Sequence, residues 1–457
     1  MINKNQPYSH YLHHKMVPNL KSCGTALMLV GFMTTYTAYA QDKTLTINEA
    51  IKLGVDNSKV LKLSQSKIDR AVSQYNQAKD RVLPTGKASY TYNRAQIPAN
   101  TLDFGGSTIH LPGSANAYIG TAAVEETIYG GGKLKYAQES TQLLTQVARL
   151  DAEKDKDEII YGVINAYYNL YKVLQSQKII VQNVTSVDQQ LTQAQRFFDQ
   201  GIVTKNDVLR FQLQKSNILL NGIDLESNRK IINYNLDILL GLPETTELKI
   251  DEIKEVSRNL APMASYLDTA ISTRQEIRQL DLENRIALTN IKSITANTLP
   301  NVGVGANLYY IGVTGNPIPQ TGNYILPVTL GATVSWNFAS FWNNKNKVAE
   351  ARIQREQTVI NKSITTDNLK NEVNRNYQNY LTAGDKIKLL ETPIAQATEN
   401  NKILESKYKS NVASVTDRVD AQTLLYQAQI NLELAKADAG LAYYTLLKST
   451  GKLNKIN

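Results

Sequence analysis

The chain has 457 residues, with 50 Lys and Arg against 41 Asp and Glu and a net charge of +9. That length suits two or three ordinary domains or one elongated one. The positive balance is too mild and too evenly spread for a nucleic-acid surface, so no nucleic-acid partner is expected.

Residues 1–40 read as a removable export leader. Lys15 and Lys21 form a basic region, Gly24 to Tyr36 is a short apolar core, and Ala38-Tyr39-Ala40 is an A-x-A cleavage site before Gln41. The apolar run is too short to span a bilayer as a helix. Export removes the single cysteine, Cys23, and every histidine except His110. Cys nucleophiles, His triads and Cys/His zinc sites are thereby excluded, and neither a cofactor nor a metal site is expected. Composition alone still permits an all-carboxylate metal or glycosidase site.

From residue 41 the chain carries one unit twice. Phe198-Asp199-Gln200-Gly201-Ile202-Val203-Thr204-Lys205-Asn206-Asp207-Val208-Leu209 aligns with Tyr408-Lys409-Ser410-Asn411-Val412-Ala413-Ser414-Val415-Thr416-Asp417-Arg418-Val419 at an offset of 210, and the same offset maps Gly241 onto Gly451. The first unit spans 41–241 and the second 265–457, with 242–264 as a linker or equatorial segment. Each reads helix, two strands, long helix, turn, long helix.

In the first unit Thr46-Ile47-Asn48-Glu49 is a capping-box pattern opening a short helix to about Asp56. A second helix runs from Ser58 to about Leu83, where Pro84 stops it. Strands are expected at about 86–98 and 114–129, joined by the exposed loop Ala99–Ser114. A long hairpin follows at about 133–241, its first arm free of proline from Leu134 to Asp199. The second unit repeats this with strands at about 301–312 and 323–338, the loop Gly312–Asn323, and a hairpin at about 343–451 interrupted only by Gly384 and Pro393 in its first arm. Helices of roughly 65 residues are roughly 100 Å long. Their apolar stripes are narrow: Val163, Tyr167, Leu170 and Leu174 in one, Leu425, Ala428, Leu432, Ala435, Ala439, Ala442 and Leu446 in another. That spacing predicts knobs-into-holes packing, and a plain exported coiled coil fits it too.

The strands separate those readings. Leu326, Val328, Leu330, Ala332, Val334, Trp336 and Phe338 alternate with small or polar residues, as do Val302, Val304, Ala306, Leu308 and Tyr310, and Ala88, Tyr90 and Tyr92. Asn116 to Tyr129 is less clean. One greasy face and one wet face is the pattern of a membrane barrel strand. Four strands cannot close around a lumen, and open edges cannot face lipid, so several chains must share one barrel.

The duplication, Leu83-Pro84 and Leu299-Pro300 at helix ends, Ile128-Tyr129-Gly130-Gly131-Gly132 before the long helix, and the two turn segments together resemble an outer-membrane efflux protein of the TolC type, over essentially the whole mature chain. The second half has Ala339-Ser340-Phe341-Trp342 where the first has the triple glycine, and only six residues follow Gly451. The resemblance implies an α+β membrane protein and a homotrimer. It would form a twelve-stranded transmembrane β-barrel, four strands per chain, continued by a long periplasmic α-helical barrel. Its partners would be outer membrane lipid, a periplasmic adaptor (membrane fusion) protein and an inner-membrane pump. Its function would be that of an outer-membrane exit duct of a tripartite export system, passive and not an enzyme.

The resemblance also assigns roles. The hairpins turn at Gly201 and Asn411, and Thr204-x-x-Asp207 and Ser414-x-x-Asp417 are capping-box patterns with Asp in third place. Asp417 and Asp420, three apart on one helical face, would line the pore entrance, where rings of carboxylates attract cations. Asp420 corresponds to Arg210 in the first unit, so only one hairpin presents the double acid. Asp207 and Tyr408 match the family's gate links, but its arginine partner falls at Ala413. The implied gate is held more loosely, or by Tyr408–Asp207 alone. Gly201, Ile202, Val203, Asn411, Val412 and Ala413 would form the adaptor-docking tips. The competing classes are an exported coiled-coil scaffold or adhesin, and an enzyme using Asp417 with Asp420.

Overall fold

A computed structural model describes residues 43–96, 98, 101–110, 114–253, 260–314 and 324–453. The leader reading at 1–40, parts of both strand-connecting segments and residues 254–259 of the linker lie outside the described residues. In chain order the elements are β1 (Lys43–Leu45), α1 (Ile47–Asn57), α2 (Lys59–Asp80), β2 (Thr85–Gln96), β3 (Thr101–Phe104), β4 (Ser107–His110), β5 (Ser114–Tyr129), α3 (Lys133–Asp199) and α4 (Lys205–Leu240). They continue as β6 (Leu248–Ile250), α5 (Met263–Thr273), α6 (Gln275–Thr295), β7 (Asn301–Thr314), β8 (Val328–Ser335), α7 (Ser340–Lys409) and α8 (Val415–Ser449).

β2, β5, β7 and β8 form one antiparallel sheet in that order, leaving β2 and β8 as its edges. Directly opposed residues of an antiparallel pair share a face. The register sets Tyr92 opposite Tyr118 and lines up the rows Tyr90–Gly120–Tyr310, Ala88–Ala122–Leu308 and Gly86–Val124–Ala306 across β2, β5 and β7. Val328 then faces Leu308, Leu330 faces Ala306 and Val334 faces Val302. Most apolar members of the four strands therefore lie on one face, while Ile119 and Ile311 oppose each other on the other. Its charges stand towards the ends, Arg94 opposite Asn116 and Glu126 beside Val304. Among the described residues no second layer covers this face: Leu330 is 82% and Val334 69% exposed. The untidy pattern of β5 has a cause in the register shift between Thr127 and Tyr129, a bulge that reverses alternation near the strand end.

Local chemistry moves several boundaries. α2 stops at Asp80, not Leu83, because Pro84 disfavours helical geometry in the preceding residue. β8 begins only after Pro327, which has no N–H to donate, although Ile325 still bridges Ile311. The segment read as the loop Ala99–Ser114 contains the hairpin β3–β4, turning at Gly105-Gly106 with φ of +52° and +98°. Two positive φ values in succession are what a tight hairpin turn requires.

α3 has 67 residues and α7 has 70. α7 runs unbroken through Pro393, which lies on an exposed face. Pro393 denies an amide donor to the carbonyl of Leu389, but Leu389 is itself exposed, so water can serve that oxygen. α4 packs on α3, α3 on α8 and α8 on α7, which leaves α4 and α7 as the outer helices of the bundle. The seam uses residues of the expected stripes: Val163, Tyr167, Leu170, Ala435, Ala439 and Leu446 are buried, as are Val187 and Ala194 further along α3.

The largest core lies midway along the helices, where α1, β1 and β6 wrap α3, α4 and α8. β1 and β6 pair in parallel, and Tyr167 Oη donates to the carbonyl of Leu45 (3.0 Å). Asn57 Nδ2 donates to the carbonyl of Leu240 (2.7 Å) at the end of α4, where Gly241 takes φ +68°. Arg274 plays the same part for α8, donating to the carbonyls of Lys448 and Ser449 while pairing with Glu276 and Glu372.

Two tests follow from this core. A Cβ at Gly440 would overlap the ring of fully buried Tyr168, so Gly440→Ala is expected to cost about 1–3 kcal/mol in denaturant unfolding. Asp237 is fully buried with one carboxylate oxygen unpartnered. Burial pushes its carboxyl up from 3.8 to about 6, against the amide of Asn233 donating to it. A raised folded-state value makes this contribution complete below pH 3.8 and lost as pH rises through 6. Stability should fall by about 1 kcal/mol between about pH 5 and 7.5, and Asp237→Asn should flatten that fall in thermal melts.

Candidate functional site: the two hairpin tips

Both hairpins end in the same backbone device. The N–H of Gly201 donates to the carbonyl of Phe198 and that of Ile202 to Phe197, both at 2.8 Å. In the second hairpin Asn411 N–H reaches Tyr408 (3.0 Å) and Val412 N–H reaches Lys407 (2.8 Å). These are Schellman closures, and each needs a left-handed residue: Gly201 at φ +74°, Asn411 at +55°. Asn411 is the one described non-glycine residue with positive φ. Ile202 and Val412 project from the tips, Val412 being 74% exposed. Val203 and Ala413 are half-buried.

The returning helices start with the expected caps. Thr204 donates to Asp207 Oδ2 through its N–H (2.9 Å) and its hydroxyl (2.8 Å). Ser414 does the same to Asp417 Oδ2 (3.2 and 2.7 Å), and Asp417 N–H donates back to Ser414 Oγ (3.1 Å). Both aspartates thus complement helix N-termini. Asp417 and Asp420 are exposed, on the side of α8 away from its buried residues Val415, Arg418, Ala421 and Gln422.

Tyr408 is buried in its own chain. Its ring lies 5.9 Å from both Phe197 and Phe211, in a cluster with Ala194, Val208 and Val415 that joins the two hairpins. Its hydroxyl has no hydrogen-bond partner among the described residues. Burial, and then the Asp207 carboxylate, push this phenol up. A polar rung further along the helices ties the hairpins again: Gln422 Nε2 donates to Asn183 Oδ1 (2.7 Å), and Gln422 Oε1 accepts from Gln190 (3.4 Å).

Arg418 is the tip residue that the sequence reading passed over. Its side chain is 3% exposed, donates to Asn401 Oδ1, and stands 3.8 Å from Glu405 on α7. Burial pulls its guanidinium down, while Glu405 opposes that shift. Glu405 is in turn held low by Lys409 at 2.7 Å. The helical period gives a signal for this arginine, because Val415, Arg418 and Gln422 share one face. An arginine normally reads as solvated, which hides it. Ala413, the position without the family's arginine, packs at the edge of the Tyr408 cluster.

Residues 51–242 and 266–452 match the model of the family described as outer membrane efflux protein. The chain belongs to that family. Among curated relatives, the outer membrane efflux protein BepC of Brucella suis biovar 1 (strain 1330) is 21% identical over 438 residues, covering 94% of this chain and 89% of the relative. The outer membrane protein TolC of Escherichia coli (strain K12) is 19% identical over 417 residues, covering 86% and 80%. The toluene efflux pump outer membrane protein TtgC of Pseudomonas putida is 20% identical over 398 residues, covering 84% and 78%. The outer membrane protein VceC from Vibrio cholerae superposes with a TM-score of 0.74 at 14% identity, over 89% of this chain and 96% of that one. The CmeC outer membrane channel of Campylobacter jejuni gives 0.72 at 15%, over 89% and 85%. These two structures establish the shared fold. As an efflux protein of this family the chain resides in the outer membrane and extends into the periplasm. The adhesin or scaffold alternative falls away with that membership.

Replacing Arg418 tests the tip. Arg418→Leu removes the guanidinium bridge between α7 and α8 and leaves Asn401 unpaired. Amide exchange across residues 401–425 should accelerate by about tenfold, the equivalent of about 1.4 kcal/mol, while the core around Tyr168 keeps its protection.

Proposed function

We propose that this protein is the passive outer-membrane exit duct of a tripartite efflux system, built from three copies. The register that places most of the apolar members of β2, β5, β7 and β8 on one face, between two unpaired edges, carries the proposal. Tyr90, Tyr92, Tyr118, Tyr310 and Tyr324 bound that face at one end, Trp336 and Phe338 at the other. From Val328 to Trp336 is about 26 Å along a strand, close to the roughly 25 Å apolar band of a membrane barrel. Three such sheets, edge to edge, would make a twelve-stranded barrel. The outer helices agree with this, since α4 exposes Leu213, Leu220 and Ile223 and α7 exposes Ile353, Ile360 and Ile364. Stripes of this kind suit burial against a neighbouring copy. The two matched segments, 51–242 and 266–452, favour an internally duplicated helix-strand-strand-helix-helix unit.

In this reading the tips, exposed at Gly201, Ile202, Asn411 and Val412 and half-buried at Val203 and Ala413, dock a periplasmic adaptor, and an inner-membrane pump supplies the energy. TtgC, a relative described as part of a toluene efflux pump, supports that arrangement. The duct itself carries out no catalysis. Asp417 and Asp420 line the entrance. Asp207 and Tyr408 form the gate links in this reading; the Tyr408 hydroxyl, buried and unpartnered within its own chain, reaches a neighbouring copy only when the packing on Phe197 and Phe211 opens.

The mature protein purified in detergent should have the mass of a trimer and form cation-selective channels in planar bilayers. A monomer that still conducts would overturn the shared barrel. Asp417→Ala combined with Asp420→Ala should weaken cation selectivity and block by multivalent cations, since each copy loses two entrance carboxylates. Unchanged selectivity would place these side chains away from the ion path.

A further inference from the structure

We infer that the belt where the sheet meets the helices is a docking surface for phosphate headgroups of an anionic lipid leaflet, an inference that rests on the membrane reading above. The four junctions (α2 to β2, β5 to α3, α6 to β7, β8 to α7) all lie at one end of the sheet. The register sets Thr85 against Glu125, Tyr129 against Val302 and Asn301 against Ser335. Trp336 Nε1 donates to the carbonyl of Thr298, and Asn344 Nδ2 to that of Ile294, both at 3.0 Å, fastening the last junction to its neighbour.

Exposed apolar groups and exposed cations alternate around this belt. Phe341 and Trp342 project from the first turn of α7, Trp342 being 67% exposed. Lys345 stands one turn further along the same face. Lys79 stands one turn from exposed Val82 and Leu83, and Lys292 one turn from exposed Leu288. Arg81, Lys135 and Lys347 add three more exposed cations. None of the six is in an ion pair among the described residues, whereas many cations on the long helices are paired, Lys215, Arg229, Lys362 and Lys448 among them. Asp80, Glu125, Glu126 and Glu139 stand against them, leaving the belt net positive in every copy.

The composition is that of a water–membrane interface. Aromatic rings sit at headgroup depth, and lysines lay their methylenes on the apolar rim while the ammonium reaches phosphate. Unpaired cations continuous with an apolar band select an anionic lipid surface over a zwitterionic one. A soluble partner would not need the belt to continue into a greasy sheet.

The chain supplies its own probe, because Trp336 and Trp342 are its only two tryptophans and both lie in the belt. The mature protein is reconstituted into phosphatidylcholine vesicles containing brominated phosphatidylglycerol or, separately, brominated phosphatidylcholine at equal mole fraction. Brominated phosphatidylglycerol should quench several-fold more effectively, and Lys79→Gln, Arg81→Gln, Lys292→Gln and Lys345→Gln combined should abolish the difference while overall quenching persists. Equal quenching by the two lipids in the unaltered protein would overturn the headgroup preference and leave the membrane reading intact. Quenching by neither would place the tryptophans outside the bilayer and remove both. A preference that survives the four substitutions, or that millimolar inorganic phosphate erases, would also overturn the inference.

Discussion

An unpaired backbone amide or carbonyl in hydrocarbon costs several kcal/mol, and a sheet edge presents a row of them. The sheet of β2, β5, β7 and β8 has two such edges and a bare apolar face. Water is a poor solvent for the face, and lipid is a worse one for the edges. Both demands are met when the edges pair with other copies of the same sheet and the face meets lipid. The outer helices pose the same problem in water, exposing apolar stripes along α4 and α7 that the proposed trimer would cover.

Below the membrane the problem changes from solvation to length. Helices of 67 and 70 residues cannot be stabilised by propensity or by one compact core, so contacts are distributed along them. The core around Tyr167, Tyr168 and Leu240 anchors the middle, with α1 and the small β1–β6 pair as its outer cover. At the tips a tyrosine, an arginine and a glutamine are buried in its place. Polar groups of this kind specify register at the cost of stability, which suits the docking and gating role proposed for that end.

Much of this was legible in the chain. Alternation along Val302 to Tyr310 and along Leu326 to Phe338 marks strands with one greasy side, because side chains in a strand alternate by geometry alone. The turns at Gly201 and Asn411 and the caps at Thr204 and Ser414 follow rules confined to a few consecutive residues. Arg418 escaped because its burial depends on Asn401 and Glu405 across the hairpin, and the β3–β4 hairpin because Gly-rich polar segments read equally well as loops. β1 and β6, three residues each, are too short for any periodicity to show and exist through pairing across some two hundred residues.

The division follows the range of the forces. Period, caps, turns and the long proline-poor helices are set by neighbours along the chain, so the amino-acid order determined them unaided. Which strands lie side by side, that most of their apolar residues fall on a common face, that Tyr408 sits under Phe197 and Phe211, and that Asp237 is buried without a counter-charge were decided only on folding. Each of these depends on which distant residues end up in contact, and a local pattern does not specify that choice.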